Sequence, residues 1–70
     1  MKIGNRKYTV ESTETVVNKN GLLTTYTDLK GPRGADVVLF ESHHDWGTSA
    51  FLFHFGSSKR ERINPETIQR

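Results

Sequence analysis

Apolar side chains recur at every second position along three stretches of this chain, and that period is the strongest constraint on its fold. A period of two is typical of a β-strand, because successive side chains of a strand point to opposite faces of its sheet. No window of about eleven residues carries an apolar stripe at the helical period. The pattern therefore predicts an all-β, mainly antiparallel fold. The alternating positions are Tyr8 and Val10, Val37 and Leu39, and Phe51, Phe53 and Phe55.

The length of 70 residues suits one small β domain over residues 1–70 and is too short for a two-domain enzyme. A domain of this size buries only about 60% of the surface that its unfolded chain exposes, so a homodimer is one expected assembly. The absence of cysteine excludes a disulfide framework and a thiolate zinc site. Because we find no apolar stretch typical of a signal peptide or a membrane span, we expect a cytoplasmic protein with no membrane partner.

The sequence Asn-Lys-Asn-Gly at residues 18–21 is typical of a type I turn followed by a glycine in the left-handed region. That turn pairs Val17 with Leu23. A two-residue turn at the Asn-Gly step would instead place Val17 opposite Thr24, so two registers are chemically sensible. We prefer the first register because it matches two apolar side chains.

Three further signals lie after the first hairpin. Gly-Pro-Arg-Gly at residues 31–34 predicts a type I turn between a strand that ends near Leu29 and one that begins near Asp36. The polar run at residues 42–47 predicts a hairpin loop, and the charged run at residues 59–63 predicts a short edge strand. Asn64 and Pro65 then have the order of a helix N-cap and first helical residue, which predicts one short helical turn.

These elements predict either an open four- to five-stranded meander sheet or an SH3-like barrel, with the helical turn after the last strand. We expect the phenylalanines at 51, 53 and 55 to form the core, and in the barrel Val37 and Leu39 would join the first two of them. Ala50 and Leu52 make the same strand apolar on its other face as well. An uncovered apolar patch would then serve as a homodimer seam or a partner site.

The residues that could carry chemistry do not form a convincing active site. His43, His44 and Asp45, with His54 on a neighbouring strand, have the right side chains for a metal, but adjacent residues of a strand face opposite ways. A nucleophilic triad from Ser42 or Ser49 lacks the glycine pattern of a strained elbow. The turn at residues 31–34 lacks the Gly-Lys-Ser/Thr end of a phosphate loop. We therefore expect no catalytic residue, no metal and no cofactor.

Positive charge is concentrated near the end of the sequence. Residues 1–58 contain six basic and six acidic residues, so the net charge of +2 resides in residues 59–70. A basic edge could contact phosphates while Trp46, Tyr26 or Phe55 stacks on bases, with an affinity that falls as salt rises. This alternative function, a nucleic-acid-binding β domain, would use Arg33, Lys59, Arg60 and Arg62.

The function that the sequence favours is that of a small non-catalytic binding module, which acts through a protein–protein interface at Trp46, Phe55 and Tyr26 or through a free sheet edge. Residues 29–35, Leu-Lys-Gly-Pro-Arg-Gly-Ala, followed by an alternating strand, resemble short reading frames from phages and mobile elements. That resemblance suggests an accessory inhibitor of a host system as a hypothesis. It assigns no role to any residue.

Overall fold

A computed structural model describes all 70 residues, which form two antiparallel sheets. In chain order the strands are β1 (Lys2–Ile3), β2 (Arg6–Lys7), β3 (Thr9–Val17), β4 (Leu23–Lys30), β5 (Asp36–His44), β6 (Gly47–His54), β7 (Lys59–Ile63) and β8 (Ile68–Gln69). Strands β3 to β7 form a five-stranded meander in sequence order, and β2, β1 and β8 form a small sheet in that order. The all-β prediction is confirmed. The meander is an open sheet with β3 and β7 at its edges, so the barrel alternative does not form.

The first hairpin adopts the bulged register. The side-chain Oδ1 of Asn18 accepts hydrogen bonds from the backbone N–H groups of Asn20 at 2.9 Å and Leu22 at 3.0 Å. Gly21 has a φ of +78°, in the left-handed region that a side chain would strain. Val17 consequently lies directly opposite Leu23, as the matching of apolar side chains predicts.

The turn at residues 31–34 also forms where the sequence predicts it, with the N–H of Gly34 donating to the carbonyl of Gly31 at 3.0 Å. The predicted loop at residues 42–47 is wrong in extent, because β5 continues to His44 and β6 begins at Gly47. The polar side chains there bond across the ladder, as when Nε2 of His44 meets Oγ of Ser49 at 3.1 Å. These bonds let a polar segment stay extended, so only two residues form the turn.

The core lies on one face of the meander, beneath the small sheet. Its members are aliphatic except for one tyrosine: Ile3, Tyr8, Leu29, Val37, Leu39, Ala50, Leu52 and Ile63. Leu39 pairs with Leu52, so both side chains enter this core together. Met1 and Ile68 pack against the same cluster from the two ends of the described chain.

The expectation that Phe51, Phe53 and Phe55 form the core is wrong. Phe51 and Phe53 lie on the opposite face of β6 from Leu52, and both are half-exposed. Phe55 follows the end of β6 and is exposed. The physical reason is that the small sheet covers one face only, and it covers the face that carries the aliphatic residues.

The last part of the chain follows its sequence signals. The predicted edge strand is β7, at Lys59–Ile63. A single 3-10 turn covers Pro65–Thr67, and Oδ1 of Asn64 caps it by accepting from the N–H of Glu66 at 3.1 Å. Pro65 occupies the start of the turn, where a missing N–H leaves no acceptor unpaired. The two-residue strands β1, β2 and β8 were not predicted.

The side of the sheet that forms the core can be tested with one pair of variants. Leu52 is fully buried, so Leu52→Ala should lower the free energy of unfolding by about 3 kcal/mol, close to the whole stability expected of so small a domain. Phe53→Ala removes a larger but half-exposed side chain and should leave a folded protein. Circular dichroism and urea unfolding would measure both, and a greater loss in the Phe53 variant would contradict this assignment of the core.

Candidate interaction surface

Four aromatic side chains form a continuous surface on the face of the meander that the small sheet does not cover. These residues, which we call the aromatic face, are Tyr26, Phe40, Phe51 and Phe53. Phe40 stacks on Phe51 with ring centroids 4.9 Å apart, and Tyr26 meets Phe40 edge to face at the same distance. Each of the four is partly exposed. Direct cross-strand pairs therefore hold Tyr26, Phe40 and Phe51 in contact with one another.

Charged side chains border the aromatic face on two sides, with opposite signs. On β7 the guanidinium of Arg60 lies 5.4 Å from the ring centroid of Phe51, and Arg62 is paired with Phe51 in the register. On β4 the exposed Asp28 accepts a hydrogen bond from Oγ of Ser12 at 2.6 Å. The margin along β7 therefore carries two arginines, and the margin along β4 carries Asp28 and, two residues further on, the ion pair between Lys30 and Asp36.

The three residues predicted for protein binding do not form one cluster. Tyr26 belongs to the aromatic face, and Phe55 touches its margin through an edge-to-face contact with Phe53 at 5.0 Å. Trp46 lies at the other end of β6, in the turn after β5, where it stacks on His44 at 4.4 Å. It is 74% exposed, so it is a separate aromatic projection.

The four predicted nucleic-acid contacts are divided by the fold. Arg60 and Arg62 lie two residues apart on β7 and share the aromatic face. Lys59 pairs with His54, so it lies on the other face of the sheet. Arg33 is in the turn between β4 and β5, outside the strands. Only the two arginines of β7 adjoin the aromatic face.

Phe40 and Asp28 were missed as site residues by the reasoning from sequence. Phe40 directly follows Leu39, and a strand places those two side chains on opposite faces. Once the turns set the register, Tyr26, Phe40 and Phe51 become direct neighbours. The signal was therefore present in the two hairpin turns, but it required the pairing of three strands at once.

The histidines serve local hydrogen bonds. His43 and His44 lie on opposite faces of β5; Nε2 of His43 meets Oγ1 of Thr25 at 2.9 Å. Nε2 of His54 meets Oε1 of Glu61 at 3.2 Å. The structure holds no group of three or more His, Asp or Glu side chains arranged to hold a metal ion.

Two ion pairs fasten the small sheet and the end of the described chain to the meander, away from the aromatic face. Arg6 of β2 donates to Glu61 of β7 at 2.5 Å. Arg70 donates to Glu41, whose carboxylate is buried with only 3% of the residue exposed. The hydrogen bond to Glu41 raises the pKa of Arg70, against a smaller opposing effect of burial.

The bond from Arg6 also affects the acid–base behaviour of Glu61. That hydrogen bond lowers the pKa of Glu61 below its ordinary value of 4.5; partial burial opposes the shift, and His54 adds a smaller lowering effect. A carboxyl with a lowered pKa in the folded state stabilises that state at neutral pH. The ion pair between Glu61 of the edge strand and Arg6 of β2 therefore exists only while Glu61 is ionised.

Comparison with protein-family models, with curated proteins and with solved structures finds no match to this chain. None of its structural elements is a helix with the length and apolar character to cross a membrane.

The pair between Arg6 and Glu61 predicts a pH-dependent effect. Arg6→Ala should lower the free energy of unfolding by about 0.5 kcal/mol at pH 7, since both side chains are roughly half-exposed. The extra free energy of unfolding that Arg6 gives the wild type should be present in full above the ordinary carboxyl pKa of 4.5. It should be lost as pH falls through the lower pKa that Glu61 has in the folded protein. Urea unfolding at neutral and strongly acidic pH would measure it, with Arg33→Ala as the control. An advantage that persists in strong acid would contradict the assignment.

Proposed function

We propose that this chain is a small non-catalytic binding module that docks a protein surface on its aromatic face. The observation that supports the proposal is that Tyr26, Phe40, Phe51 and Phe53 are contiguous and partly exposed, and that no other strand packs over them. The largest contiguous apolar patch on a small protein often marks the place where another molecule binds.

The composition of this surface is that of a protein interface. Interface cores are enriched in aromatic residues and arginine, and charged groups form the rim. Here the aromatic rings are central, with Arg60 and Arg62 on one margin and Asp28 on the other. The exposed Trp46 and Phe55 lie beyond the two ends of the surface and could extend a contact in either direction. Binding would act by occupying the partner's surface, with no covalent step.

A site-specific photo-cross-linker tests this proposal in living cells. Phe53 is replaced by p-benzoylphenylalanine, and the matched control carries the same group at Val17, which is 63% exposed on β3. Irradiation should produce protease-sensitive adducts from position 53 and few or none from position 17. Equal adducts from both positions, or none from position 53, would refute the proposal.

Nucleic acid is the second candidate occupant, and the contact between Arg60 and Phe51 favours it. A guanidinium beside an exposed ring can hold a phosphate while the ring stacks on a base. The balance of charge is less favourable, because Asp28 on the opposite margin would repel a phosphate backbone.

The nucleic-acid candidate predicts binding with a modest salt dependence. If Arg60 and Arg62 each neutralise one phosphate, affinity for a single-stranded oligonucleotide should fall about sevenfold between about 50 and 200 mM salt. Replacing both arginines by glutamine should abolish most of that dependence, whereas Lys19→Gln, in the distant first hairpin, should leave it unchanged. Fluorescence anisotropy would measure these affinities. No binding at the lower salt concentration would eliminate this candidate.

A further inference from the structure

We propose that the occupant of the aromatic face is a second copy of this chain, packed face to face into a two-layer β-sandwich. The inference rests on the proposed function, since it requires that this face is a protein interface, and it names the partner. It is carried by the order of side chains across the sheet, which is complementary to itself.

The aromatic face and its charged margins lie in two neighbouring rows of cross-strand pairs. From β4 to β7, one row contains Tyr26, Phe40, Phe51 and Arg62, and the next contains Asp28, Val38, Phe53 and Arg60. In each row the two central side chains are apolar, and the last is an arginine. The centre of the apolar surface therefore lies between β5 and β6.

A two-fold axis that runs between β5 and β6, parallel to the strands, places each row of one copy over the same row of the second copy in reverse order. β4 then lies over β7 of the second copy, and β5 lies over β6. Phe40 then lies over Phe51 of the second copy, and Val38 lies over Phe53 of the second copy. At the margins Asp28 faces Arg60 of the second copy, and the ring of Tyr26 faces the guanidinium of Arg62. Because the interface is isologous, each of these contacts occurs twice.

Electrostatic complementarity favours this arrangement over a second face-to-face dimer, in which the two-fold axis runs across the strands. A two-fold axis across the strands would superpose β4 on β4 and β7 on β7. That dimer would bring the arginines of β7 in both copies against one another and would leave both copies of Asp28 without an arginine opposite. Like charges across an interface are unfavourable, whereas the parallel axis pairs opposite charges.

The size of the face suits a reversible dimer. In this arrangement β4 to β7 of the two copies overlap, and β3 has no strand opposite it. Four strands, spaced about 4.8 Å apart and about 25 Å long, present roughly 500 Å² per copy, so a dimer would bury about 1,000 Å² in total. This is the lower end of the range for specific interfaces. Two sheets about 10 Å apart would bury the rings between them, which gives this small chain a second apolar core.

The decisive experiment is a charge exchange between Asp28 and Arg60, followed by sedimentation equilibrium of the purified protein. The wild type should reach twice its monomer mass of 8.0 kDa as concentration rises. Asp28→Lys alone places two positive charges at each contact, and Arg60→Glu alone places two negative charges there. Each variant alone should dimerise at least tenfold more weakly than the wild type.

An equimolar mixture of the two variants should restore the dimer. In the mixed dimer the introduced lysine faces the introduced glutamate, while the unchanged Arg60 and Asp28 face each other at the second contact. Glu66→Lys and Arg33→Glu make the same two charge changes at exposed positions outside the face and should leave dimerisation unchanged. Circular dichroism would verify that each variant is folded.

The outcomes separate this inference from the proposed function. A wild type that stays monomeric at every concentration overturns the second copy as occupant, and so does a dimer that the single variants do not weaken or the mixture does not restore. If position 53 still cross-links to a protein of another mass, the proposed function survives with a different partner. If position 53 yields no protein adduct, the proposed function fails as well.

Discussion

The structure depends on one constraint. Strands β5 and β6 are apolar on both faces of the sheet, and the rest of the chain covers only one of these two faces. Along β5, Val38 and Phe40 alternate with Val37 and Leu39. Three of the four side chains are buried, and Phe40 is partly exposed. Strands that are apolar on both faces are typical of sheets buried between two layers. In this chain the small sheet forms one covering layer, and no other sheet forms a second. The aromatic face is therefore exposed because the remaining elements of this short chain cover only the other face.

The covering layer is built from short segments that have little stability alone. Strands β1, β2 and β8 contain two residues each, so contacts with the rest of the chain hold them in place. Ile3 supplies apolar burial, and the two ion pairs described above supply fixed points on β5 and β7. The pair at Glu41 differs from the pair at Glu61, because a buried carboxylate without its partner would be left desolvated and unpaired. The small sheet thus closes the aliphatic face through a few specific contacts.

The uncovered face combines features that protein and nucleic-acid ligands both use, and its charge pattern distinguishes between them. Exposed rings beside arginines would suit either ligand. The carboxylate of Asp28 favours a partner that presents positive charge in return. The chain itself presents that charge on its opposite margin, at Arg60, and this is our reason for proposing a second copy as the occupant in preference to a phosphate backbone.

The sequence by itself determined the local structure: both tight turns, the bulged register that sets Val17 opposite Leu23, the edge strand Lys59–Ile63 and the cap at Asn64. These follow from residue chemistry within a few positions, such as the left-handed conformation of Gly21. Only the tertiary structure decided which face became the core. Alternation shows that Leu52 and Phe53 point in opposite directions, but both sides are apolar, so the pattern alone cannot choose between them. The choice was made by two-residue strands too short to leave a period in the sequence, because they pack where Ile3 and Ile68 complete an aliphatic cluster.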